Sequence, residues 1–315
     1  MKKGKTAVAG TSRKKSGDKR GIRYFLWIVP FLILVFLFSY FPLHGWIYSF
    51  FDYKPPRSLA DCDFVGLQWF QMLFANETQV SQLIQVMKNT FAMSSLNILT
   101  SFLPLAFAIF LNEIKCKKFK TFVQTFTTLP NFISWVLVYS VAFSLFSSTG
   151  MVNTLLENAG IITEPIKFLD SDSHTYLWML LWNTWKGLGW GAIMYLAGIA
   201  GIDQELYEAA SIDGANRFQL MRHITLPALM PTFFVMLMLA ISNFLNNGMD
   251  QYFVFQNSFN KEHIQVLDLY VYNIGMTGGS YSLATAISML KSIVSVVLLT
   301  LVNFVSKKTR GESII

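Results

Sequence analysis

Long uncharged apolar runs alternate with short polar connectors along this 315-residue chain. A helix crosses a bilayer with about 20 apolar residues, and an ionisable side chain inside it is costly, so each uncharged run is a candidate span. Six runs are predicted as helices, at 24–51, about 89–112, 121–147, 176–200, about 227–255 and about 282–305. Pro104 predicts a kink in the second and Pro130 lies early in the third, while Asp250 marks a polar edge in the fifth. The first run follows a basic stretch, but it is too long for a signal peptide and has no small-residue cleavage site, so it reads as an uncleaved anchor.

Composition agrees with the pattern: the chain is 53% hydrophobic and 14% charged, against roughly 25% charged for a soluble domain. The fold expected is an all-α membrane protein. Its net charge of +7 is not a nucleic-acid footprint, because residues 1–23 hold nine Lys/Arg and one acid, leaving 16 basic and 17 acidic residues elsewhere. Residues 1–23 read as a disordered basic tail that touches anionic lipid, 24–306 as the six-helix domain, and 307–315 as a second tail.

The positive-inside bias sets orientation. A cytoplasmic N-terminus puts 18 of 25 Lys/Arg inside: nine in the tail, four in 115–120, Arg217 and Arg222, and Lys307, Lys308 and Arg310. Both termini and the 201–227 loop between the fourth and fifth helices are therefore expected in the cytoplasm. Cys62 and Cys116 then lie on opposite sides, and four scattered histidines offer no metal-ligand spacing.

The 201–227 loop is the most ordered connector in the sequence. Glu208-Ala209-Ala210-Ser211-Ile212-Asp213-Gly214 is followed, after nine residues, by Ile224-Thr225-Leu226-Pro227. Ile202, Leu206, Ala209, Ala210 and Ile212 fall mostly on one face of a short helix, with Asp203, Glu205 and Glu208 in its early part. Gly214 suits the left-handed end of that helix, and a second helical stretch at 215–224 leads to Pro227 and Pro231. Two alanines admit a partner close to the backbone, and a carboxylate beside them offers one directional anchor. A surface hairpin with no partner fits the periodicity equally well.

Glu-Ala-Ala, three residues, Gly, nine residues and Ile-x-Leu-Pro resembles the signature loop of the membrane subunits of bacterial binding-protein-dependent ABC importers, matching every defined position. The resemblance implies a coupling helix that docks on an ATPase subunit through Glu208, Ala209, Ala210, Asp213, Gly214, Ile224, Leu226 and Pro227. Asp213-Gly214-Ala215, Trp182-Asn183-Thr184-Trp185 with Gly187, Leu129-Pro130 and Gly150-Met151-Val152-Asn153 resemble the carbohydrate branch. Asp52-Tyr53-Lys54-Pro55-Pro56 and Phe64-Val65-Gly66-Leu67 resemble permeases for oligosaccharides and polysaccharide fragments. The family implies a multi-pass protein of the bacterial plasma membrane with a second, related permease, two ATPase subunits and an extracytoplasmic sugar-binding protein. ATP and Mg would be bound by the ATPase, with no cofactor in this chain.

Within the apolar runs, Asn243, Asn246 and Asn247 recur at i, i+3 and i+4, and Asn183, Lys186 and Trp190 at i, i+3 and i+7. Two polar stripes facing one another would suit a sugar, whose hydroxyls pair with amides and whose ring faces stack on aromatics. Asparagines that merely join neighbouring helices are the alternative. Similarity to the larger membrane subunit of the maltose importer carries a sugar-contacting role to Asn183, Lys186, Gly187, Trp190, Asn243 and Asn246, and the common face adds Asn247. Lys186 replaces an apolar residue there, at roughly 2.5–3.5 kcal/mol for a mid-helix lysine. It calls for a partner: a sugar carboxylate, an acidic neighbour, or the interface reached by snorkelling. Lys291 poses the same question.

Gly187, Gly189 and Gly191 lie inside an apolar helix and read as close packing rather than a nucleotide loop. No Gly-x-x-x-x-Gly-Lys-Ser/Thr run is present, so ATP must act through another polypeptide. No soluble domain is large enough to capture substrate, which leaves the outer stretches 52–88 and 257–281 as the landing surface of a binding protein. An ion-coupled transporter would want an Asp or Glu in mid-segment, and a membrane enzyme a cluster of His, Asp or Glu; the runs offer neither. A permease for a non-sugar solute is opposed by the resemblance alone.

Overall fold

The computed structural model describes residues 18–310, with side chains for 21–308. Most of the 1–23 tail and residues 309–315 of the second tail lie outside those described side chains. Two compact units form, Met1–Tyr48 and Ser49–Ile315. The described part of the first consists of α1 (Asp18–Val35), a π-turn at Phe36–Tyr40 and the start of a 3₁₀ stretch.

The second unit is helical, and among the described residues its one β pairing is an isolated bridge between Phe51 and Phe64. Its helices are α2 (Gln68–Ala75), α3 (Glu77–Leu99), α4 (Phe102–Asn112), α5 (Lys117–Thr128), α6 (Trp135–Phe146), α7 (Met151–Asn158) and α8 (Thr175–Ala200). They continue as α9 (Gln204–Ile212), α10 (Arg217–Leu220), α11 (Leu226–Ser242), α12 (Asp250–Phe255), α13 (Lys261–Ile264), α14 (Leu267–Tyr272) and α15 (Tyr281–Arg310).

Among the described residues five stretches are long and apolar enough to cross a membrane: Gly21–Phe50, Glu77–Asn112, Trp135–Asn158, Arg217–Ser242 and Tyr281–Lys308. The run expected at 176–200 forms the helix α8, whose 26 residues make a rod of about 39 Å. It is missing from the apolar five because Asn183, Thr184 and Lys186 interrupt its hydropathy.

Three predicted boundaries shift, each for a local reason. The second run starts twelve residues earlier than expected, at Glu77, under the Asn76 side chain, which accepts from the Thr78 amide. Its break falls at Thr100–Ser101 rather than at Pro104, because Pro104 has no N–H to give the Thr100 carbonyl, which instead accepts from Leu103 at 2.9 Å. The 121–147 run is not one helix. A 3₁₀ turn at Leu129–Phe132 ends α5, Ile133 is extended, and Ser134 caps α6. The 227–255 run is likewise divided, by an irregular segment at 243–249 between α11 and α12.

Small residues let these helices approach one another. A Cβ at Gly189 of α8 would lie 2.3 Å from the Thr127 carbonyl oxygen of α5, one at Gly191 3.1 Å from Pro104 of α4, and one at Gly198 2.8 Å from Leu229 of α11. Around these contacts Leu105, Ala108, Ala192, Tyr195 and Leu229 form a buried core. A second core joins α3, α6, α8 and α12 through Met93, Val138, Met179, Tyr252 and Phe255.

Candidate coupling loop and translocation site

The expected coupling loop folds much as its residues dictate. Asp203 caps α9, its carboxylate accepting from the Glu205 amide at 3.0 Å. At the other end Gly214 takes a left-handed φ of +82°. The Gly214 amide donates to Ser211 and the Ala215 amide to Ala210, at 3.1 and 2.9 Å, which satisfies carbonyls that the helix end would leave free.

The second helical stretch begins as expected but changes register. Asn216 and Gln219 cap each other reciprocally at 2.7 and 3.0 Å, opening α10, and a π-turn at Met221–Thr225 delivers the chain into α11 with Pro227 in its first turn. The Tyr207 hydroxyl meets that of Thr225 at 2.8 Å and fastens α9 to the foot of α11.

Between these pieces runs a groove of about 330 Å³ bordered by Ala210, Asp213, Gly214, Ala215 and Ile224. Glu208 and Ala209 are exposed beside it, and Glu208 has no ion-pair partner among the described residues. Ile212 is 86% exposed. The apolar face of this short helix thus includes an isoleucine that no described residue covers.

The two polar stripes do not meet directly. Asn183 of α8 donates to the Asn97 side chain at 3.1 Å. Ser94 donates to the Asn247 side chain, also at 3.1 Å, and lies in hydrogen-bond contact with the Phe244 carbonyl oxygen. Ser94 and Asn97 are one turn apart on α3, so a third helix connects the stripes. Neither was singled out from the sequence, although polar residues three apart inside an apolar run were a readable signal.

The Asn243 stripe itself needs correcting. α11 ends at Ser242, and Asn243, Asn246 and Asn247 sit on the irregular segment rather than on one helical face. Asn246 donates to the Asn243 side chain at 3.2 Å, Asn243 donates to the Leu239 carbonyl, and both asparagines are exposed. Helix-breaking polar backbone at membrane depth persists where it is buried in protein or lines a water-filled cavity.

Among the described residues Lys186 meets no acidic neighbour, and it does not snorkel to an exposed position. Its ammonium donates to the carbonyls of Pro130, Asn131 and Ile133 at 3.0, 2.8 and 2.7 Å, and lies 5.4 Å from the centre of the Trp135 ring. The residue is 8% exposed. The break between α5 and α6 leaves the Asn131 and Ile133 carbonyls without helical donors, while the Pro130 carbonyl also accepts from the Ile133 amide at 3.2 Å; a lysine with three N–H groups reaches all three. Lys291 does find an acid, the Asp268 carboxylate of α14, whose other oxygen accepts from the Gly248 amide at 2.9 Å. Asp268 lies in the 257–281 connector, outside any apolar run.

Trp190 projects from α8 with half its surface exposed and meets Phe132 edge to face at 5.7 Å. Gly187 contrasts with Gly189 and Gly191, because a Cβ there would meet nothing within 4 Å. The glycine run therefore divides: two positions serve packing, and Gly187 leaves open space between Asn183 and Trp190 along the same helix.

On the opposite end of α3 lies a cavity of about 1070 Å³, bordered by Glu77, Gln82 and Lys88 on one side and by Phe259, Lys261 and Glu262 on the other. The two stretches expected to receive a binding protein thus border one depression. A bond at 2.8 Å from Asn89 to the Glu262 carbonyl and a contact between His263 and Asp172 tie its walls together.

Residues 101–311 match the family described as the binding-protein-dependent transport system inner membrane component. The chain belongs to this family. Among relatives of the permease, the protein LplB of Bacillus subtilis is 37% identical, over 94% of this chain and 92% of its own length. The polygalacturonan/rhamnogalacturonan transport system permease protein YteP of the same organism is also 37% identical, covering 92% of this chain and 89% of its own. Among solved structures, a chain of a bacterial ABC transporter that imports the acidic polysaccharide alginate superposes with a TM-score of 0.80 at 32% identity, over 93% of the permease and 97% of that chain. A chain of the alginate transporter in complex with a periplasmic protein bound to alginate pentasaccharide gives 0.82 at 30%, over 96% and 100%.

Proposed function

We propose that this permease is half of the membrane pathway of an ATP-driven importer for oligosaccharides of acidic sugars, in the bacterial plasma membrane. α8 serves as a sixth span beside the five apolar ones, and both termini and the 201–227 loop face the cytoplasm. A second, related permease completes the pathway, two ATPase subunits bind ATP and Mg, and an external binding protein delivers the sugar to the depression at the start of α3.

The observation that carries this reading is the presentation of α9. Its exposed Glu208, Ala209 and Ile212 stand beside a groove closed by Gly214, and the helix is fastened through Tyr207 to the foot of α11. A force applied to α9 therefore reaches a membrane helix. ATP-driven closure of the ATPases would draw on α9, turn the pathway outward to receive sugar, and hydrolysis would reset it. No bond of the substrate is made or broken.

Asn183, Gly187, Trp190, Asn243, Asn246 and Asn247 are the side chains and spaces offered to the sugar, amides to hydroxyls and the Trp190 face to a ring. Lys186 spends its three donors on backbone and steadies the Phe132–Trp190 pair instead of touching substrate. The acidic character of the sugar rests on the relatives named for polygalacturonan and alginate.

The test is uptake by the reconstituted complex together with ligand binding by the cognate binding protein. ATP-dependent accumulation of uronic-acid oligosaccharides is expected, with neutral oligosaccharides of equal length at least tenfold poorer. Accumulation that follows an ion gradient without ATP would overturn the reading.

A further inference from the structure

A groove of about 460 Å³ runs between α4 and the α10–α11 junction, away from both the coupling groove and the polar stripes. Its α4 wall is the face carrying Phe102, Ala106 and Ile109, and its other wall carries Phe218 and Met221. Arg222 is the one ionisable residue bordering it. That arginine is exposed and has no ion-pair partner among the described residues.

The order of these residues gives the groove a polarity. α4 runs from Phe102 toward its polar end at Asn112 and Glu113, and α11 starts beside Arg222 and runs back into the apolar layer. The arginine therefore sits at the interfacial end of a channel whose remaining border is hydrocarbon and aromatic. The volume is about fifteen times the ~30 Å³ share of one liquid water, room enough for a slender chain, and the side chains of the border offer a polar ligand no partner besides Arg222. A guanidinium suits a phosphate through paired N–H donors. It also lies within a region where anionic headgroups gather near basic residues. A π-turn at Met221–Thr225 carries Arg222, the kind of helix irregularity that often marks a functional position.

We infer that this groove is a binding site for an anionic phospholipid, one acyl chain lying between α4 and α11 and its phosphate held by Arg222. The occupant would brace α4 against the foot of α11, to which α9 is fastened through Tyr207, so its presence would stiffen the joint through which α9 acts. Assignment to the inner leaflet rests on the cytoplasmic placement of α9; the chemistry of the groove does not.

The complete transporter in nanodiscs, containing either phosphatidylglycerol or phosphatidylcholine with a photoreactive group in the acyl chain, decides the matter. Peptides spanning 102–112 and 217–226 are expected to be labelled at least fivefold more by the glycerol lipid. Arg222→Gln should remove that preference, Arg222→Lys should retain most of it, and Ala106→Trp, which fills the groove, should abolish labelling by both lipids. Equal labelling by the two lipids in the unaltered protein, or a preference that survives Arg222→Gln, would overturn the site. So would crosslinks from these peptides to the second permease in place of lipid. Maleimide labelling of Glu208→Cys in sealed vesicles reports the side of α9 separately, so a wrongly assigned leaflet is distinguishable from a groove that binds no anionic lipid.

Discussion

The 201–227 loop and the polar residues of α8 and the 243–249 segment are built on opposite plans. In the loop, the decisive bonds join residues a few positions apart: Asp203 to Glu205, Gly214 to Ser211, Asn216 to Gln219. Around α8 and the 243–249 segment they join distant parts of the chain, with Lys186 reaching back more than 50 positions and Ser94 forward by about 150. The first arrangement can keep its shape while being pushed as one piece. The second depends on how several helices stand together, which is what a pathway must change when it opens.

That contrast is most directly attacked at the loop. Gly214→Val places a β-branched residue at a φ of +82°, a conformation costing L-residues about 1–2 kcal/mol and more when branched. ATP-dependent uptake by Gly214→Val or Glu208→Lys is expected to fall more than tenfold while ATP hydrolysis continues and the protein remains inserted. Uptake near normal in both variants would remove the distinction between a pushed loop and a passive one.

Next in size is Lys186→Met. The Asn131 and Ile133 carbonyls in a largely buried break would lose their donor, each at about 1–3 kcal/mol if left unsatisfied, partly relieved by local relaxation, while Pro130 keeps the Ile133 amide. A net loss of about 2–4 kcal/mol is expected, read as a fall in the thermal midpoint of the purified complex. If Lys186 instead met a sugar carboxylate, the midpoint would hold and only the substrate KM would rise.

The glycines of α8 supply a finer test. Gly189→Ala should cost about 1–3 kcal/mol, because the clash is with backbone and cannot be relieved by a rotamer change. Gly187→Ala, facing open space, should stay within about 0.5 kcal/mol in stability and alter the apparent affinity for sugar. Similar stability losses in the two variants would show that Gly187 is packed after all.

The smallest expected effect is that of Ser94→Ala, about 1 kcal/mol for the hydrogen bonds lost. Combined with Asn97→Ala it should exceed the sum of the singles if α3 holds both polar segments at once. Strict additivity in that double-mutant cycle would mean that the segments are held separately.

How much of this was readable follows from the same division. The short helix ending at Gly214 and the approach to Pro227 were legible because caps and left-handed glycines act within a few residues. The division of the third and fifth runs was not, because an apolar run keeps its hydropathy when the helix inside it breaks. Pro130 announced one break, but nothing near Asn243 announced the other except the asparagines themselves, which matched a helical face by spacing alone. The fate of Lys186 required knowing that the Asn131 and Ile133 carbonyls would be left without backbone donors beside it. Lys291 was the easier of the two lysines, since an acid was among the partners considered, although the choice of Asp268 came only with the fold.

A transporter that opened both of its doors together would be a hole. The bonds that Ser94 and Asn97 make from neighbouring turns of α3 bear on that danger. At about 100° per residue the two side chains stand about 60° apart on α3, so a shift of that helix away from both neighbours would release α8 and the 243–249 segment together. Two latches on a single shaft keep time without any signal passing between them.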